Sequence, residues 1–197
     1  MRKIGLTGSI AVGKSYVCDI FRELGCRVLD ADKTSRDVVE PRTEGLRRIV
    51  EEFGDGVLLA GGSLDRKKLG AIVFADDAKR QLLNSIVHPL VIESQNEWIE
   101  NAGPDAISII DAALMIESGG YKRFEKLIVV WCKSAIQLER LMLRDILTEQ
   151  DAKMRINAQM PQEEKKRFAD FLIDTSDGFD DTGKQVIQVF EELKHTV

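Results

Sequence analysis

Cysteine is scarce in this 197-residue chain: Cys18, Cys26 and Cys132 are odd in number and none stands in a C-x-x-C spacing. That argues against a disulfide framework or a cysteine-held zinc and leaves three small hydrophobes of a reducing compartment. Excess positive charge is missing too. A formal net charge of −5 gives no global pull towards nucleic acid, although a small anionic ligand needs only a local basic patch. No apolar run approaches the length of a membrane span. The basic start, Arg2 and Lys3, leads into an apolar run that Lys14 cuts short of a secretory signal. The expectation is a cytoplasmic protein with neither a membrane nor a nucleic-acid partner. Internal repeats and low-complexity tracts are also absent, and 44% hydrophobic with 31% charged residues is the composition of one globular unit with room for a small helical insertion.

What the chain does have is glycine in an unusual place. The stretch GLTGSIAVGKS, residues 5 to 15, sets Gly5, Gly8 and Gly13 between an apolar run and a helical pattern formed by Val17, Ile20, Phe21 and Leu24. Glycine weakens strands and helices alike, so such spacing serves a sharp bend or a close approach to the backbone. Gly8 to Ser15 reads G-x-x-x-x-G-K-S, the phosphate loop: backbone N–H groups wrap a phosphate, Lys14 supplies positive charge and the Ser15 hydroxyl reaches a magnesium ion. The following helix aims its dipole and unpaired N–H groups at the same place. The competing explanation is a glycine-rich turn beside an exposed lysine.

Five apolar runs, at residues 2 to 7, 27 to 30, 106 to 111, 126 to 132 and 170 to 174, have the near-continuous character of parallel strands covered on both faces. Helical stretches separate them, giving an α/β fold with a parallel sheet. The gap from 33 to 103 is longer than one crossover needs, and its apolar spacing (Leu46, Ile49, Val50, Phe53; then Leu82, Leu83, Ile86, Val87, Leu90, Val91) marks a helical insertion. Pro89 predicts a helix break at His88-Pro89. After the fourth strand, Ser134 with Gln137 forms a capping-box pattern and opens a helix with Leu138 and Met142 on one face and Gln137, Arg140 and Arg144 on the other. Thr148 begins a further helix carrying Arg155 and Gln159, and Thr182 with Gln185 caps the last one.

Ligands of a parallel α/β sheet bind beyond the carboxyl ends of its strands. The second strand ends in Asp30-Ala31-Asp32 and the third in Asp111. Each of these carboxylates can be a helix N-cap; Asp111 can instead hold Mg²⁺, and both readings stay open at this point. Asp32 fits the group that accepts or orients the proton of an acceptor hydroxyl, and Arg36 follows one helical turn later. Arg140 and Arg144 form either a solvated helix face, which is the ordinary case, or a phosphate clamp. His88 is ordinarily a structural histidine.

The segments GLTGSIAVGKS, VLDADKTSRDVV, LDRKKLGAIVF, LLNSIVHPLV, DAALMIE, and RLMLRD followed by RINAQM, in this order along nearly the whole chain, resemble the dephospho-CoA kinase family. The resemblance implies a P-loop NTPase-like three-layer α/β sandwich with a five-stranded parallel sheet. It implies a nucleotide-binding core of residues 1–32, 104–133 and 164–197, a helical CoA-substrate domain of residues 33–103 and a lid of residues 134–163. It further implies ATP bound by Gly8, Ala11, Val12, Gly13, Lys14, Ser15 and Tyr16, and dephospho-CoA bound by Asp32, Arg36, Arg66 and His88. Asp32, Lys14, Arg140 and Arg144 would be catalytic, with Mg²⁺ on Ser15 and Asp111. A monomer or weak homo-oligomer is expected. The chain departs from the family pattern at Ser9, Ala11 and Val12 of the loop, where a more glycine-rich Gly-Gly-Ile-Gly-Ser-Gly-Lys-Ser is usual. It departs also at Ala113, in place of proline, and at Thr175, in place of an asparagine on the adenine side. Ala11 is strained if its position needs positive φ, and Val12 is stiff.

Two other readings of the residues remain. Another phosphate-loop kinase, for a nucleoside monophosphate or a metabolite alcohol, would share the loop and lid. A binding module that has lost turnover would hold the same ligands without product. A GTPase is disfavoured because no N-K-x-D guanine-reading motif occurs.

Overall fold

The apolar runs become five strands in the computed structural model, which describes residues 2–195. They are β1 (Arg2–Thr7), β2 (Arg27–Asp30), β3 (Ile107–Asp111), β4 (Lys126–Trp131) and β5 (Phe171–Asp174), each within a residue of its expected bounds. They form one parallel sheet in the order β2-β3-β1-β4-β5. Continuous apolar character follows from burial on both faces. Ile4, Leu6, Ile107, Ile109, Ile128, Val130 and Ile173 alternate onto one face, where Val17, Phe21, Val186, Val189 and Leu193 cover them. The intervening positions, among them Ile110, Leu127 and Val129, are buried as well, and Gly5 lies so close to Met115 that a Cβ would stand 2.7 Å from its sulfur.

The helices are α1 (Lys14–Glu23), α2 (Ala31–Asp37), α3 (Glu44–Phe53), α4 (Arg66–Phe74), α5 (Asp77–Glu100), α6 (Ser134–Asp145), α7 (Glu149–Asn157), α8 (Gln162–Lys166) and α9 (Phe179–His195). The chain divides into two compact units. One holds the residues up to Leu29 and from Ala102 onward, in which α1 packs on α9 and α6 on α7. The other, Asp30–Asn101, is built from α2 to α5 around Val39, Leu46, Ile49, Val57, Leu64, Leu69 and Ile86.

Three local expectations are corrected. The helix does not break at His88-Pro89: α5 runs unbroken through Pro89 from Asp77 to Glu100. An interior proline costs about 3 kcal/mol, but α5 packs against α2, α3 and α4 and carries Leu82, Leu83, Ile86 and Val87 in or against the core of its unit, and such packing outweighs one lost hydrogen bond. Ser134 does not cap α6. The N-cap position is Lys133, without a side-chain cap, and Gln137 is turned to the Ile10 carbonyl, distant in sequence. Nor do Thr182 and Gln185 open α9, which starts at Phe179. Thr182 bonds back to the carbonyl of Gly178 at 2.8 Å, and Gln185 holds both backbone groups of Asp174 at the end of β5, at 2.9 Å each.

All three cysteines are free and buried, as scarcity without pairing led us to expect. Burial pushes the Cys26 thiol from an ordinary 9.0 up to about 12, because the thiolate loses its hydration. The folded chain therefore keeps this proton where the unfolded chain releases it. Stability should be unaffected by this group below pH 9 and should fall as pH rises from there towards 12. Urea unfolding at a series of alkaline pH values checks this, and Cys26→Ala should flatten the slope.

Candidate active site

Two neighbouring strands, β1 and β3, end side by side, with Leu6 in register with Asp111. The chain leaves β1 for a helix on one side and β3 lies on the other, so a crevice opens where strand order reverses. The turn from Gly8 to Gly13 joins β1 to α1 at that end of the sheet. A Cβ on Gly8 would stand 2.5 Å from the carbonyl oxygen of Val130, which leaves no residue but glycine there. Gly13 takes φ 87° and no side chain caps α1, whereas Asp30, Thr43, Asp65, Asp76 and Thr148 cap α2, α3, α4, α5 and α7. The first turn of α1 thus offers its N–H groups and dipole to an anion. Ala11 does sit at positive φ, 61°, and Val12 is fully buried.

Side chains from distant segments hold this turn. The Ile10 N–H donates to Gln159 Oε1 at 2.8 Å, and the Ile10 carbonyl accepts from Gln137 Nε2 at 2.8 Å. Gln162 Nε2 donates in turn to Gln137 Oε1 at 2.7 Å, and Gln162 Oε1 accepts from the Cys132 N–H at 3.0 Å. Thr175 donates its hydroxyl proton to the Val12 carbonyl at 2.7 Å. Beneath the segment after β3, the buried Lys165 reaches the Ala113 carbonyl and the Glu117 carboxylate, each at 2.8 Å. The sequence reading assigned a site role to none of Gln137, Gln159, Gln162 and Lys165. The available signals were Gln137 on the polar helix face it shares with Arg140 and Arg144, and the polar residues of RINAQM and the segment that follows.

A cavity of about 770 Å³ lies over the turn, lined by Ser9 to Tyr16 and by Arg140, Leu143, Arg144, Gln159, Thr175 and Phe179. Lys14 pairs with Asp111. Asp111 is followed by turns rather than a helix, which removes the N-cap reading of that carboxylate. Its charge adds to burial in pushing the Cys18 thiol up to about 12. Arg140 donates to the Thr175 hydroxyl at 2.8 Å and to its carbonyl at 2.7 Å. Arg144 and Arg155 both pair with Asp145 at 2.8 Å, and the bond from Arg144 is the main reason the Asp145 carboxyl is held below its usual value. Tyr16 meets Phe179 edge to face at 4.7 Å between ring centres.

The remaining candidates lie in the unit Asp30–Asn101. Asp30 is the cap of α2, its Oδ1 accepting from the N–H groups of Asp32 at 2.8 Å and Lys33 at 3.1 Å. Asp32 is left exposed in the first turn. Arg66 donates to the Arg36 carbonyl at 2.9 Å, so these two arginines come together. His88 is exposed on α5 and is no core histidine.

A phosphate loop closing the central strand of a parallel sheet, uncapped at its helix and facing a cavity rimmed by arginines, defines a phosphate-loop kinase. The chain belongs to the dephospho-CoA kinase family, whose model matches residues 2–181. It is 42% identical to a dephospho-CoA kinase of Aquifex aeolicus over 98% of each chain and 44% identical to one of Listeria monocytogenes over 94% of each. A crystal structure from Thermus thermophilus superimposes with a TM-score of 0.82 at 30% identity, covering 98% of this chain and 97% of the other. The dephospho-CoA kinase of Campylobacter jejuni gives 0.72 at 30%, covering 98% and 96%. A shikimate kinase from Acinetobacter baumannii, at 16% identity and a TM-score of 0.55 over 100% of this chain and 96% of its own, shares the fold alone. Among the described residues no helix is long and apolar enough to cross a membrane.

An alanine at φ 61° carries roughly 1–2 kcal/mol of left-handed strain. Ala11→Gly should therefore raise the unfolding free energy by a few tenths to about 1 kcal/mol, after the larger unfolded-state entropy of glycine is set against the relief. Urea denaturation of the two proteins checks the sign.

Proposed function

We propose that the protein transfers the γ-phosphate of ATP to the ribose 3′-hydroxyl of dephospho-CoA, giving coenzyme A and ADP, the last step of coenzyme A synthesis. The observation that carries this is a phosphate-binding turn under an arginine-rimmed cavity of about 770 Å³, in a chain that matches dephospho-CoA kinases over nearly its whole length. In phosphoryl transfer there is little covalent work for the protein, so positioning and charge stabilisation do most of the catalysis. The N–H groups of residues 11 to 15 cradle the β- and γ-phosphates. Lys14 turns from Asp111 to the phosphates, and Arg140 and Arg144 spread positive charge along them. Residues 134–163 act as a lid whose closure excludes water, so that the acceptor hydroxyl and not water receives the phosphoryl group.

Magnesium fits the donor set. The Ser15 hydroxyl and the Asp111 carboxylate are hard oxygens, and no group of three or more His, Cys, Asp or Glu among the described residues could hold a metal by itself. That pattern suits an ion that keeps waters and takes its other ligands from phosphates. Held there by Ser15 and Asp111, it would supply charge neutralisation to the phosphates during transfer.

Asp32 is the base we assign, with Arg36, Arg66 and His88 on the acceptor side. Its neighbour Asp30 is occupied as the α2 cap, and that division of labour between the two carboxylates supports the choice.

Incubation with Mg-ATP and a panel of acceptors, read by product mass, should give a phosphorylated product from dephospho-CoA and none from AMP, CMP or shikimate. Efficient turnover of a nucleoside monophosphate with none of dephospho-CoA would overturn the assignment.

Asp32→Asn should lower kcat by roughly 10²- to 10⁴-fold with ATP affinity little changed. Asp30→Asn preserves a competent cap and should cost far less. The reverse order of effects, measured as kcat and ATP Kd beside melting curves, would move the base to Asp30.

A further inference from the structure

Thr175 is 4% exposed and stands just past β5, where its N–H continues the pairing with β4 by donating to the Trp131 carbonyl at 3.0 Å. Its hydroxyl has one proton and two lone pairs. The proton goes to the Val12 carbonyl at 2.7 Å rather than to the Trp131 carbonyl at 3.4 Å, since the shorter contact is the stronger bond. A lone pair is then directed to Arg140 Nη1 at 2.8 Å, while the Thr175 carbonyl takes Nη2 at 2.7 Å. Both outer nitrogens of one guanidinium thus end on one residue. That residue touches the phosphate turn itself, for a Cβ on Gly13 would lie 3.3 Å from the same hydroxyl.

We propose that Thr175 is a positioning residue for the phosphoryl-transfer site: its hydroxyl joins the Val12 carbonyl of the phosphate turn to Arg140 and fixes where that guanidinium stands over the phosphates. A planar fork held at both tips has lost its rotational freedom before ATP arrives, so less is lost on forming its bonds to phosphate. The inference rests on the proposed kinase function only for its turnover readout.

The test is a double-mutant cycle on the full chain: wild type, Thr175→Val, Arg140→Lys and the double variant, with Thr175→Ser as the conservative control and Thr175→Ala in reserve should the valine protein melt early. Each is measured for kcat and KM with Mg-ATP and dephospho-CoA, and for ATP Kd by calorimetry. Thr175→Val keeps shape and branching but removes the hydroxyl. It should lower kcat about tenfold, the scale of one hydrogen bond to a charged group, and weaken ATP several-fold, with the KM for dephospho-CoA unchanged. Thr175→Ser should restore both values. In the Arg140→Lys background the valine substitution should change kcat and ATP Kd less than twofold, because the group through which it acts is already altered. Wild-type values for Thr175→Val, or losses that multiply in the double variant, would overturn the proposal. Intact coupling in ATP Kd without turnover of dephospho-CoA would uphold Thr175 and sink the acceptor assignment.

Discussion

A turn that presents bare backbone N–H groups to a ligand cannot hold its own shape, because those donors are withheld from the bonds that stabilise ordinary turns. The nucleotide end of this protein is organised around that constraint. Gly8 lies against β4 with no room for a Cβ, Gly13 takes the left-handed conformation that starts α1, and Ala11 tolerates the same region at some strain. The geometry is then imposed from outside: Gln159 takes the N–H and Gln137 the carbonyl of Ile10, and Thr175 takes the Val12 carbonyl. The turn is rigid because its neighbours are.

The same arrangement disposes the charges. The cations lining the cavity already have partners: Lys14 on Asp111, Arg144 on Asp145, Arg140 on the hydroxyl and carbonyl of Thr175. Arg140 alone among them rests on a neutral residue, so an anion can bind it without stripping it from a carboxylate.

The parts of this design visible in the sequence are those whose cause is local. A strand buried on both faces must be apolar throughout, and β1, β3 and β4 could be placed almost to the residue; Gly8, Gly13, Lys14 and Ser15 are adjacent in the chain, so their spacing carries the chemistry. Gln137 and Gln185 misled because S/T-x-x-Q is a statement about four consecutive residues, whereas Gln137 answers to a carbonyl 127 positions away and Gln185 to the end of β5. Pro89 misled for a related reason, since a local penalty was set against packing by α2, α3 and α4 that no short window contains. Thr175 looked like a departure from a family pattern, and its value became visible only once Val12 and Arg140 were placed around it.

The hydrophobic cluster beneath β1, β3, β4 and β5 and the cluster inside α2 to α5 have no residue in common. A substitution that opens a void in one therefore leaves the packing of the other intact, and the two halves of the molecule accumulate change on separate accounts. On the acceptor assignment proposed above, the helices of the second unit can be repacked without disturbing the cluster beneath the phosphate turn. A scaffold partitioned in this way is suited to inheriting one reaction and acquiring new recipients for it.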